Sequence, residues 1–107
     1  MIHELRIYDA APGKLPALND RFAKITLDYF KKHGIGVVGF WTDVVGVSGR
    51  LTYILAFNDM AHRDSAWAAF GADPDRIKDF AETEKDGPLV ARIENKIMRP
   101  TAYSPLQ

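Results

Sequence analysis

The stretch GVVGFWTDVVGVSG, residues 36–49, decides how this chain folds. Val37, Val38, Phe40, Trp41, Val44 and Val45 favour a strand, while Gly36, Gly39, Gly46 and Gly49 interrupt one. The spacing predicts a strand over about Gly36 to Val45 that turns through GVSG into a second, RLTYILAFN. Both alternating sets of the first strand are apolar, so both of its faces need cover. Helices of one small subunit cover one side of a sheet. A second copy of the sheet is the expected cover for the other. Gly39 and Gly46 then read as bends or bulges in an edge strand. Trp41 falls on the set of Val37 and Gly39, with space opened beside it by glycine.

Outward from this hairpin, HELRIYD at residues 3–9 alternates His3, Leu5 and Ile7 against Glu4, Arg6 and Tyr8. That pattern predicts a half-buried first strand. A helix is expected from about Lys14 to His33, with Leu15, Leu18, Phe22, Ile25 and Tyr29 forming one apolar stripe. Gly34 stops it. Asp59 is placed to cap a helix whose inward residues are Met60, Arg63, Trp67 and Phe70, ending near Gly71. Asp73 and Pro74 start another, with Ile77, Phe80 and Ala81 facing inward, and Gly87-Pro88 ends it. LVARIENKIMR, residues 89–99, is a last strand. Residues 100–107 read as an extended C-terminal arm on a single domain spanning 1–107.

The order β-α-β-β-α-α-β predicts an α+β, ferredoxin-like fold: a four-stranded antiparallel sheet with helices on one face. The more apolar sets, Leu5 and Ile7 with Ile93 and Ile97, are expected to face the helices. The bare face would then carry Glu4, Arg6, Tyr8, Arg92, Glu94 and Lys96. For the two middle strands both sets are apolar, and the facing stays open.

Hydrophobic residues make up 47% of the 107 and charged residues 26%, as in a globular domain. Fourteen basic residues balance fourteen acidic ones, which argues against nucleic acid or an anionic membrane as partner. The absence of cysteine excludes disulfides, thiolate nucleophiles and zinc–thiolate sites. No apolar run is long enough for membrane insertion, and the N-terminus lacks the regions of a signal peptide, so a cytoplasmic location is the expectation. An RNA-recognition domain shares this element order, but its third strand needs a glycine after the basic residue, which RLTYILAF lacks.

ELRIYDAAPGKLPAL, HGIGVVGFWTDVVG, LAFNDMAHRDSAWAAF and KIMRPTAYSP resemble, in order and spacing, the NIPSNAP family. Matching positions include Glu4, Leu5, Arg6, Tyr8, Pro12, Gly13, Lys14, Leu15, His33, Gly34, Gly39, Phe40, Trp41, Ala61, Arg63, Arg99 and Pro100. Met98 stands where leucine is expected, a volume-conserving change. The resemblance covers nearly the whole chain and implies a dimeric α+β barrel. It names no reaction, because one fold hosts many.

Several residues are candidates for chemistry. Glu4, Arg6 and Tyr8 are expected to meet Arg92, Glu94 and Lys96, either as a polar pocket or as a cross-strand charge ladder. Arg63 can offer its guanidinium to a ligand's carboxylate or to an acid within the fold. Trp41, Tyr53, Phe57, Trp67 and Phe70 can line an apolar pocket or fill a core. His33 reads as a cation at a helix end, His3 as a rim residue and His62 as an exposed histidine. Haem-degrading relatives of the barrel superfamily use a helix histidine on iron, but no second motif supports His62 in that role. The ligand-binding candidates are thus Arg6, Tyr8, Trp41, Tyr53, Arg63 and Trp67, with no metal or cofactor expected. Two classes of function remain: a homodimer that binds a small apolar or aromatic carboxylic acid, with cofactor-free oxygenation or isomerisation as its enzymatic alternative, and a non-catalytic protein-interaction module.

Overall fold

A computed structural model describes residues 1–107. The chain forms β1 (Ile2–Ala10), a long helical run, β2 (Gly36–Thr42), β3 (Arg50–Phe57), α3 (Met60–Ala72), α4 (Pro74–Thr83) and β4 (Val90–Met98). The helical run has three parts: α1 (Leu15–Arg21), a π-helical turn (Phe22–Thr26) and α2 (Leu27–Lys32). The strands form one antiparallel sheet in the order β2-β3-β1-β4, the ferredoxin-like arrangement expected from the element order.

The π-helical turn changes which residues of the run reach the core. Its wider spacing moves the buried stripe to Leu18, Phe22, Thr26 and Phe30, so Ile25 and Tyr29 are only half-buried. Gly34, at φ 72°, ends the run in a conformation that a side chain would strain. Asp59 caps α3 by accepting from the His62 N–H at 2.8 Å. Asp73 caps α4 by accepting from the Asp75 and Arg76 N–H groups. Met60, Ile77 and Ala81, expected inside, are exposed; Ala66 and Phe70 make the inner side of α3.

Register settles the facing of each strand. In an antiparallel pair, residues opposite each other share a face. Arg6 lies opposite Tyr53 on β3 and Asn95 on β4. Tyr53, Leu55 and Phe57 are fully buried beneath the helices, so Glu4, Arg6 and Tyr8 face the helices. This reverses the expected orientation of β1. Leu5 and Ile7 lie on the open face beside Ile54 and Thr52, with Lys96 and Glu94 on β4. Simple alternation sends the apolar set inward; here the polar set goes inward because its members satisfy one another there. On β4, Ile93 and Ile97 do stand on the helix side, opposite Tyr8 and Glu4.

β2 ends at Thr42 rather than Val45, and its register shifts between Val37 and Gly39, a bulge that frees Val38 from pairing. Phe40 faces the core opposite Tyr53, and Trp41 faces away opposite Thr52. The opening beside Trp41 is filled by the indole itself. A Cβ on Gly39 would meet the ring at 2.8 Å. The C-terminal arm is not extended: its Thr101–Ser104 turn closes with a 3.1 Å backbone hydrogen bond.

Candidate functional site

Three of the six candidate ligand-binding residues, Arg6, Arg63 and Trp67, bond Glu4 directly, and Tyr8 and Tyr53 join them through Arg6. Arg63 donates to its carboxylate from Nε at 3.1 Å and Nη2 at 3.2 Å, Trp67 from Nε1 at 2.9 Å, Asn95 from Nδ2 at 2.9 Å and Arg6 from Nη1 at 2.9 Å. These bonds use essentially all the acceptor capacity of a carboxylate. Burial pushes the Glu4 carboxyl up, but donors from Arg63, Asn95, Trp67 and Arg6 outweigh it and hold its pKa at about 2.

Arg6 joins Glu4 to a pair of phenols. Its Nε donates to the Tyr53 hydroxyl at 2.8 Å and its Nη2 to the Tyr8 hydroxyl at 3.1 Å, and the two hydroxyls bond each other at 2.8 Å. Its guanidinium also lies 4.6 Å from the centre of the Trp67 ring, a stacked cation–π contact. Burial, with Tyr8 beside it, keeps the Tyr53 phenol protonated well above its ordinary pKa.

A donor count shows what the cluster has left over. A guanidinium carries five N–H donors, and Arg6 commits three of its own within the chain. The two phenols share one hydrogen bond, so one O–H is also uncommitted. The remaining chemistry is therefore donor chemistry, with no free base.

Beside this cluster the sheet is uncovered. Ile93 and Ile97 face the helix side of β4, yet are 50% and 38% exposed because no helix lies over that edge. They form an apolar shelf next to Arg6 and Asn95. None of the four surface recesses is lined by Arg6, Tyr8, Tyr53, Arg63 or Trp67, so the cluster borders an open shelf and not a closed cavity. Phe57 and Phe70 pack in the core.

Trp41, the sixth candidate, is on the opposite face of the sheet and 52% exposed. The charge ladder across β1 and β4 also differs from expectation: Arg92, Glu94 and Lys96 lie on the open face, away from Glu4 and Arg6. Asn95 is the residue that sequence reasoning missed. Its signal was a polar side chain between Ile93 and Ile97 in an otherwise apolar set.

The histidines have defined partners except one. His62 accepts at Nδ1 from the Asn58 N–H at 3.0 Å and donates from Nε2 to the Gly34 carbonyl at 2.9 Å, which commits both nitrogens. His33 pairs with Asp73 at 2.7 Å, beside Lys32 at 2.7 Å. His3 is buried on the open face and makes no hydrogen bond.

The NIPSNAP family model matches residues 3–105, almost the whole length of the sheet-and-helix unit described above. The chain belongs to the NIPSNAP family. It is 28% identical over 110 residues to the NipSnap homolog 1 protein of Danio rerio, covering 99% of this chain and 36% of that one. This NIPSNAP domain thus spans about a third of that curated relative. A NIPSNAP family protein of unknown function from Agrobacterium tumefaciens has a solved structure of the same fold, 30% identical with a TM-score of 0.88, covering 100% of this chain and 94% of that one. A more distant likeness in fold, at 19% identity and a TM-score of 0.61, is to a variant of MhuD solved with manganese protoporphyrin IX, over 94% of each chain. Among the NIPSNAP residues, no group of His, Cys, Asp or Glu is arranged to hold a metal ion, and no helix is long and apolar enough to cross a membrane.

Proposed function

We propose that this NIPSNAP protein is a homodimer that binds a small apolar or aromatic carboxylic acid at the Arg6 cluster. The observation that carries this reading is the surplus of donors over acceptors: two guanidinium groups, Arg6 and Arg63, meet one buried carboxylate, and Arg6 keeps two N–H groups free beside an apolar shelf. An anionic head suits the donors, and an apolar body suits Ile93 and Ile97. Because Glu4 is saturated and burial keeps the Tyr53 phenol protonated, the cluster favours binding over turnover. Porphyrin binding, as in MhuD, finds no support at His62, since both ring nitrogens are committed and an iron would have to displace one of the two hydrogen bonds.

The dimer is supported by the open face itself, where Leu5, Ile7, Ile54 and Trp41 stand without a helix above them. The protein-interaction reading rests on Val44 and Val45, which are 100% and 94% exposed at the hairpin tip.

Fluorescence tests the acid site. In a Trp41→Phe background Trp67 is the single indole, and it touches both Arg6 and Glu4. Phenylacetate should perturb its emission saturably. Ile93→Glu, which places an acid on the shelf and leaves the cluster intact, should weaken that response at least tenfold. A flat Trp67 signal in the folded Trp41→Phe protein would remove the acid site and favour an interaction module.

A further inference from the structure

We infer that an anion site separate from the Arg6 cluster lies between the first helical run and the end of α4, and that it takes a compact, doubly charged oxyanion of the phosphate class. A recess of about 210 Å³ there is bordered by Asp20, Arg21, Lys24 and Ile25 of the run, with Thr83 of α4 and Leu89 before β4. Residues 20, 21, 24 and 25 are spaced to share one side of a helix. The volume is below that of a pocket for a drug-sized ligand and suits a small ion.

Arg21 carries the inference. It is only 7% exposed, and its guanidinium lies 4.5 Å from the centre of the Phe80 ring. Nη1 donates to the Thr83 hydroxyl at 3.3 Å and to the Glu84 carboxylate at 2.8 Å. Nε and Nη2 bond nothing, and Nε is buried without a partner. A buried donor of this kind costs stability unless an acceptor comes from outside the chain. Nε–H and Nη2–H point the same way and form a fork that receives two oxygens of one oxyanion. The fold thus fixes a guanidinium by its Nη1 bonds and its ring contact and leaves that fork empty. Nη2, which is not enclosed, is the end that an entering ion meets first.

Lys24 is the second observation. It is exposed, borders the same recess and forms no ion pair. The Arg21 fork alone would satisfy a carboxylate. A second cation beside it favours phosphate, whose further oxygens and second charge suit the ammonium. Asp20 is the acid that borders the recess, and it opposes the ion. Glu84 is spent on Nη1. These residues come from the helical run, α4 and the loop before β4, so the site lies apart from the Arg6 shelf and from the open face proposed to meet a second copy.

The probe is inorganic phosphate, added to the full chain at pH 7.5 while the arginine Nε–H resonances are followed by NMR. The Arg21 signal is assigned through bonds from its backbone, so no variant of this buried residue is needed. Phosphate should shift it saturably and leave the Nε–H signals of Arg6 and Arg63 in place, so this site and the acid site fail or succeed separately. Acetate should bind at least tenfold more weakly. Lys24→Gln should weaken phosphate at least fivefold; its side chain is exposed and unpaired, so the fold is retained. Asp20→Asn should tighten binding by removing the opposing charge. An absent or non-saturating Arg21 shift overturns the proposal. So does equal affinity for phosphate and acetate, undiminished binding by Lys24→Gln, or weaker binding by Asp20→Asn.

Discussion

Glu4 is held as an anion by Arg63, Asn95, Trp67 and Arg6 inside the fold, and its stability contribution has a definite sign with pH. Its pKa is lowered from 4.5 to about 2. As pH falls below the unfolded value, the unfolded chain takes up the proton first, so unfolding becomes easier. The contribution is complete above pH 4.5 and is lost progressively toward pH 2. Glu4→Gln should flatten that acid limb, as read by denaturant melts from pH 7 to pH 2.5. An equally steep limb in the variant would place the pH dependence elsewhere. Arg6→Ala leaves the Tyr8–Tyr53 pair and one side of Glu4 without a cation, and removing one partner of a buried ion pair costs about 3–5 kcal/mol. Its midpoint in urea should fall accordingly. A parental midpoint would mean that Arg6 is free and held only for ligands.

At the scale of the element, β2 depends on Gly39. Adding a Cβ there pushes against the Trp41 indole at 2.8 Å. The indole is half-exposed and free to swing, so Gly39→Ala should fold while the near-ultraviolet circular dichroism of Trp41 changes. A parental spectrum would show that the ring does not lie over Gly39. Asp73 plays a comparable part between helices. It caps α4 and binds Lys32 and His33 at the end of the first helical run, whose hydrogen bonds hold its carboxyl well below the usual range. Asp73→Ala should cost about 1–2 kcal/mol from the lost cap alone, with Asp73→Asn recovering part of it, measured by thermal melts.

The caps, the strand order and the family motifs were all legible in the sequence, because Asp59, Asp73, Pro74 and Gly34 act through local chemistry. The facing of β1 was not. Period-two alternation tells which residues share a face, but not which face turns inward when the polar set can satisfy itself. Glu4 needed donors from β1, α3 and β4 at once, and only the assembled fold brings Arg63, Trp67 and Asn95 to it. The π-helical turn was hidden for a similar reason: one shifted register moved the stripe from Tyr29 to Phe30 without altering the apolar count.

For the whole molecule, the inward turn of Glu4, Arg6 and Tyr8 has a counterpart on the other side of the sheet. It leaves Leu5, Ile7, Ile54 and Trp41 on a face no helix covers, and two such faces closing together would bury them. Sedimentation equilibrium of the parent and of Ile7→Lys tests this most directly, since Ile7 is central on that face and outside the Arg6 cluster. The parent should sediment at twice the mass of the chain at micromolar concentration, and the variant as a folded monomer. A parent that is a fully folded monomer under the same conditions would contradict the account.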